Sequence, residues 1–264
     1  MMTAALLKRL RQFAASRHNQ RKSPFYVAEG LRCCREALDR RPQWLEEVIL
    51  SADVAQTPNG REFADLARRV GITPVVVPDG DFAQLAMTEG PQGALCVMRK
   101  PQCPAPTALD PVCTLILDQV REPGNLGTIL RTAWSIGLTQ VWLTDGSADP
   151  WSPKVVRSGM GAQFALNVHN FSDLSKAVQS FHDLGGERVW CAMMHADVTL
   201  FSAAFTPFGA ALVVGNEGHG ITSPEVGSAV SIPMPGQAES LNVAQAATLL
   251  LYEALRRQPN GGSL

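Results

Sequence analysis

Between residues 114 and 145 two short apolar runs, 115–117 and 141–143, bracket a segment whose apolar residues recur at helical spacing. That order is strand, polar turn, helix, strand, and it restricts the chain to α/β architectures. The turn holds Arg121, Glu122, Pro123, Gly124 and Asn125. Asn125 has the chemistry of a helix N-cap and Gly137 suits the other end. Leu126, Ile129, Leu130, Ala133 and Trp134 form one apolar stripe, from which Arg131 stands apart. Arg131 lies less than two helical turns past Asn125, so both polar groups can face the space beyond the strand's carboxyl end.

The same alternation is present upstream. Strands are expected near 25–27, 48–50, 74–77 and 93–98, with helices at 31–38, 62–70 and 79–86, which makes an α/β module over residues 1–100. Residues 101–111 carry four prolines and read as a stiff connector. A second module then runs over 112–264, with further strands near 164–169, 188–193, 210–214 and 230–233 and a strongly apolar helix at 241–257. Gly261 and Gly262 fall in a frayed tail. The basic, acid-free start loosely resembles an organellar presequence, and the preferred expectation is an ordinary first helix with Leu6, Leu7, Leu10 and Phe13 inward.

Composition excludes several classes. No apolar run approaches the ~18 residues of a membrane span. The six cysteines show neither metal-ligand spacing nor a secreted disulfide pattern, which points to reduced thiols, no metal and a cytoplasmic protein. Net charge is −1 but uneven: residues 1–100 carry 15 Lys and Arg against 11 Asp and Glu, and residues 101–264 carry 8 against 13. A basic first half suits a polyanion, with Arg17, Arg21 and Lys22 in an expected loop as nucleic-acid-binding candidates.

Gly124 and Gly127 do not make GxGxxG, and no GxxxxGK[ST] occurs, so a dinucleotide or P-loop phosphate cradle is not expected. Three other loops follow strand ends, at 125–131, 215–220 and 236–242, with glycines that let backbone approach a ligand.

Taken in order, these loops resemble the motifs of the SpoU (TrmH) family of RNA ribose 2′-O-methyltransferases in the SPOUT superfamily. The first matches NLGTILR from Asn125 to Arg131, the second GNEGHG from Gly215 to Gly220, and the third SIPM from Ser231 with SLNV from Ser240 and Tyr252-Glu253. The segment 153–162 fits the family pattern too, and residues 25–38 and 91–93 fit its substrate-binding domain more loosely. Ala244 stands where the third motif commonly continues with Ser.

The resemblance implies a trefoil-knotted parallel-sheet methyltransferase domain behind a smaller α/β RNA-binding domain. It implies S-adenosyl-L-methionine as cofactor, bound by Gly215, Ile232, Met234, Leu241 and Val243. Arg131, Asn125, Glu217, Ser240 and Asn242 would form the catalytic shell, with Glu217 either catalytic or structural. Its further implications are a homodimer, with an exposed part of the last helix near 249–251 as interface, and an RNA substrate, most naturally large-subunit rRNA. A tRNA substrate and a non-catalytic knotted RNA binder are the alternatives.

Overall fold

The computed structural model describes residues 4–88, 90–236 and 239–258, with only the backbone at 4–7, 9, 15 and 17. The expected contributions of Leu6, Leu7, Gly261 and Gly262 therefore lie outside the described residues. The chain divides into two units, residues 1–102 with 151–164, and residues 103–150 with 165–264.

The first unit opens with helices α1 (Ala4–Ala15) and α2 (Arg17–Lys22). Strand β1 (Phe25–Glu29), α3 (Leu31–Arg40), β2 (Leu45–Ser51), α4 (Ala52–Gln56) and α5 (Pro58–Arg69) follow. β3 (Val75–Val77), α6 (Asp79–Leu85) and β4 (Ala94–Arg99) complete a four-stranded sheet of order β1-β4-β2-β3. Only β2 and β3 run parallel. Thr57 caps α5 by accepting from Gly60 N at 3.0 Å, with Pro58 at the first helical position. Residues 17–22, expected as a loop, form α2, with Arg21 and Lys22 in its last turn, where cations suit the helix dipole.

The second unit begins with β5 (Thr114–Leu117), α7 (Pro123–Ser135) and β6 (Gln140–Thr144). The chain then passes through α8 (Pro153–Gly159) and α9 (Ala162–Ala165). It continues with β7 (Asn167–Phe171), α10 (Leu174–Asp183), β8 (Val189–Ala192), β9 (Ala211–Val214), β10 (Ser228–Val230) and α11 (Val243–Arg256). The six strands are all parallel, in the order β10-β8-β9-β5-β6-β7. Every residue of β5, β6 and β9 is buried, as a sheet covered on both faces requires. Strand order reverses around β5, β8 and β9, and ligand sites of open parallel sheets gather at the carboxyl ends of strands flanking such a reversal.

Residues 164 and 165, expected to begin a strand, are helical instead, as the end of α9. Phe164 stacks on Tyr26 at 6.4 Å, and Tyr26 also meets Trp151 at 5.0 Å, so aromatic packing in the first unit holds this segment. Within the second unit the proline-rich stretch is anchored. Buried Asp110 accepts from Thr139 N, Thr139 Oγ1 and Gln140 N, while Gln140 Nε2 donates to Ala108 O at 2.7 Å. At the other end of the chain Arg257 donates to the carbonyls of Leu200, Ser202 and Phe205. That ties the end of α11 to the loop after β8.

All six cysteines are free, and burial pushes the Cys191 thiol up to about 11, which keeps it protonated at neutral pH. Among the described residues no helix is long and apolar enough to cross a membrane, and no group of three His, Cys, Asp or Glu could hold a metal.

Candidate active site

Asn125 is not the cap of α7. The helix starts two residues earlier at Pro123, and Glu122 takes the cap by accepting from Gly124 N at 3.4 Å. A proline pre-set for the first helical position moves the start upstream. Asn125 is thereby released, and its amide bridges two other loops. Its Nδ2 donates to Glu217 Oε1 at 2.9 Å and its Oδ1 accepts from Asn242 Nδ2 at 3.0 Å.

The orientation of this relay follows from a helix end. Asn242 caps α11, its Oδ1 accepting from Ala244 N at 2.9 Å, so its Nδ2 must point the other way. That N–H can only meet an acceptor, which sets the Asn125 oxygen toward Asn242 and its own N–H toward the carboxylate. One cap thus aligns three side chains from residues far apart in sequence. Arg131 lies on the exposed side of α7 and has no hydrogen-bond or ion-pair partner among the described residues. Ser240 is exposed and likewise makes no side-chain bond among them, so it does not join the relay.

The Gly215 loop is closed by backbone. Asn216 N donates to Gly220 O at 2.9 Å, and Gly220 N returns a bond to Asn216 O at 3.0 Å. A Cβ on Gly215 would stand 2.4 Å from Gly220 C and 2.5 Å from Ile221 N, so only glycine fits. Gly220 itself sits at φ +71°, where glycine is favoured. The Asn216 side chain fastens the loop at both ends, donating to Gln119 O and accepting from the N–H groups of Gly218 and His219.

Beneath it lies a residue that sequence reasoning misses. Asp118 is 1 % exposed and follows β5 directly. Its carboxylate accepts from Thr222 N at 2.7 Å, Thr222 Oγ1 at 2.8 Å and Thr144 Oγ1 at 2.8 Å, joining the ends of β5 and β6 to the loop after β9. Thr144 Oγ1 in turn accepts from Gln119 N at 3.0 Å, which holds Gln119 at φ +56°. Asp118→Ala leaves those donors in a buried setting without their acceptor. It is expected to lower unfolding free energy by about 2–4 kcal/mol in denaturant melts, with Asp118→Asn losing less.

Of the five cofactor candidates, Ile232 and Met234 line a cavity of about 450 Å3 together with Ala196, Ser231, Pro233 and Glu239. Val243 is buried at the start of α11 and Leu241 is half-buried, and Gly215, Leu241 and Val243 are not in that cavity's wall. The backbone groups of Ile232 and Met234 have no hydrogen-bond partner among the described residues.

Two family models match. The SpoU rRNA methylase family covers residues 113–252, more than half of the chain, and the RNA 2′-O ribose methyltransferase substrate-binding family covers 27–104. The chain belongs to the SpoU rRNA methylase family.

Membership places α7, the Gly215 loop and most of α11 inside one family unit. The chain is 32% identical to RlmP of Bacillus subtilis, a 23S rRNA (guanosine(2553)-2′-O)-methyltransferase, over 88% of each protein. A Synechocystis relative is 36% identical over 67% of this chain and 65% of its own length. Among solved structures, a TrmH-family protein from Porphyromonas gingivalis is 32% identical with a TM-score of 0.79, covering 98% of this chain and all of that one. The SpoU methyltransferase AviRb from Streptomyces viridochromogenes, solved with AdoMet, shares the fold at 24% identity and TM-score 0.80, over 98% of this chain and 100% of AviRb.

Proposed function

We propose that this chain transfers a methyl group from S-adenosylmethionine to a ribose 2′-oxygen of RNA, with large-subunit rRNA as substrate. The observation that carries the reading is the relay Glu217–Asn125–Asn242, which draws the three family motifs into one polar site on the helix that bears Arg131. RlmP, matched over most of both chains, supports rRNA over tRNA.

The cavity beside Ile232 and Met234 fits the donor. Its volume lies within the roughly 300–1,000 Å3 of small-molecule sites. Apolar side chains there can sandwich an adenine while unpaired backbone groups read its edge. Gly215 acts one step back by holding the second loop closed, and Leu241 and Val243 carry the third loop into the cap of α11. When bound, the donor supplies a sulfonium-activated methyl group.

A neutral 2′-hydroxyl is a poor nucleophile, so the protein must align it and favour charge building on its oxygen. Arg131 has that role, exposed and without an acid that would neutralise it. A guanidinium keeps its proton in proteins, so the hydroxyl proton passes to water or a substrate phosphate. Asn125 orients the ribose, and Glu217 locks the amide rather than receiving the proton. Ser240 stands at the rim of the third loop, where it contacts the RNA.

The same family reading includes the trefoil knot. Support comes from the segment at Ser231, which pairs beside residues 198–200, and from Arg257, which is tied to the loop beyond. Residues 1–102 form the RNA-binding domain, with Arg21 and Lys22 exposed on α2. The side chain of Arg17 lies outside the described residues. For the homodimer, Leu250 and Leu251 are 2 % and 0 % exposed and face the core, so Leu249 and Tyr252, 42 % and 50 % exposed, form the contact. The cytoplasm is the compartment, in keeping with free, mostly buried thiols.

Isothermal titration with S-adenosylmethionine followed by methyl incorporation into RNA tests the reading. Both binding and transfer are expected; binding without transfer would support a non-catalytic RNA binder instead.

A further inference from the structure

Residues 151–164 lie within the SpoU methylase match in sequence, yet their contacts place them in the first unit. There they close a cavity of about 620 Å3 whose walls come from α3, the turn before β4 and α8. Arg32 and Cys33 of α3 line one side, Met87, Thr88 and Gln92 another, and Arg157 and Met160 the third.

The wall is cationic. Arg32 and Arg157 are both exposed, and neither has a carboxylate partner among the described residues. The acid in the wall, Glu29, is already engaged: Oε2 accepts from Met87 N at 2.8 Å and Oε1 from Thr88 Oγ1. It holds the 87–88 turn in place and leaves both guanidinium groups for an outside anion. At the base, Gly30 precedes α3 without any side-chain cap, and a Cβ there would stand 2.8 Å from Gln92 Oε1. The missing side chain therefore makes room for an amide that carries both a donor pair and an acceptor.

The other components are apolar and polarizable. Met160 ends α8 at φ +50°, a left-handed position where glycine is the ordinary choice and a side chain costs about 1–2 kcal/mol. Its side chain lines the cavity together with that of Met87, and thioethers pack well against flat aromatic rings.

Two guanidinium groups, one amide and two thioethers around a cavity of this size match one chemical class. We propose that this cavity receives a single unstacked nucleotide of the RNA substrate, with its phosphate on Arg32 and Arg157, its base between Met87 and Met160, and its edge read by Gln92. The site determines which RNA is bound rather than how the methyl moves. Sequence-specific RNA recognition generally targets such splayed-out bases. The inference rests on the RNA-methylation reading and adds that a segment of the methylase sequence builds part of the substrate-binding unit.

The test uses the full-length protein and an unmodified large-subunit rRNA transcript. Arg32→Ala with Arg157→Ala is expected to raise the KM for RNA roughly tenfold or more by removing two charge-assisted phosphate contacts. Turnover number and S-adenosylmethionine affinity stay near those of the unchanged protein, and the Arg→Lys pair recovers part of the loss. An unchanged KM would overturn the proposal. Independently, ultraviolet cross-linking of the unaltered protein to transcript carrying 4-thiouridine should mark the peptides that contain Met87 or Met160. Cross-links confined to other peptides would overturn the proposal even if every variant misfolds. Failure of the unaltered protein to methylate RNA would instead count against the methylation reading, and the cross-link map would still decide whether this cavity holds a nucleotide.

Discussion

Arg131→Ala lowers turnover on the order of 10²-fold or more while leaving S-adenosylmethionine binding unchanged, because the side chain stabilises charge that exists only as the 2′-oxygen attacks. The helix should survive the change. Arg131 is exposed on α7 and makes no bond among the described residues that Ala would break, and Ala is the strongest helix former. The loss should therefore fall on kcat more than on thermal stability, and single-turnover kinetics alongside a melt separates the two. Arg131→Lys tests the physical content of the claim. A lysine keeps a charge but not the planar fork, so partial recovery supports electrostatic stabilisation and full loss supports bidentate anchoring of a phosphate. Near-normal turnover in Arg131→Ala removes this residue from the mechanism.

Gly215→Ala acts by a different route. Its added Cβ would lie within 2.4–2.5 Å of backbone atoms of Gly220 and Ile221, and backbone cannot swing aside as a side chain end can. The hairpin-like closure between Asn216 and Gly220 must open, which displaces Glu217 and with it the hydrogen bond to Asn125. Forced overpacking costs about 1–3 kcal/mol. The expected outcome is a lower melting point, loss of cofactor binding in a titration, and no methyl transfer. Gly218→Ala is the control, since a Cβ there would come no nearer than 3.6 Å to Asn216 Oδ1. Equal behaviour of the two variants would contradict the packing account.

How far each feature is legible in the amino-acid sequence depends on how local its cause is. Strands such as β5, β6 and β9 are legible because they are short runs dominated by apolar residues. Asn125 is legible as a polar group near Arg131, but its true partners, Glu217 and Asn242, lie 92 and 117 residues away. Local chemistry therefore favours a helix cap, the commonest use of an asparagine at such a turn. Asp118 is hidden for the same reason. An acid at the end of a strand resembles an ordinary turn residue, and its burial depends on Thr222, 104 residues later. Residues 164 and 165 read as the start of a strand because Phe164 and its neighbours are apolar, and the stacking on Tyr26 that holds them is a contact between segments about 140 residues apart. Leu249, Leu250 and Leu251 form a uniform run in which only helical phase decides which one is exposed.

The central claim is the atom that receives the methyl group. Large-subunit rRNA transcript incubated with this protein and methyl-labelled S-adenosylmethionine, then hydrolysed in alkali, tests it most directly. A methylated 2′-oxygen cannot attack the neighbouring phosphate, so the label is predicted in an alkali-resistant dinucleotide at one position. Label recovered on a base in ordinary mononucleotides, or no label in RNA at all, would contradict the account.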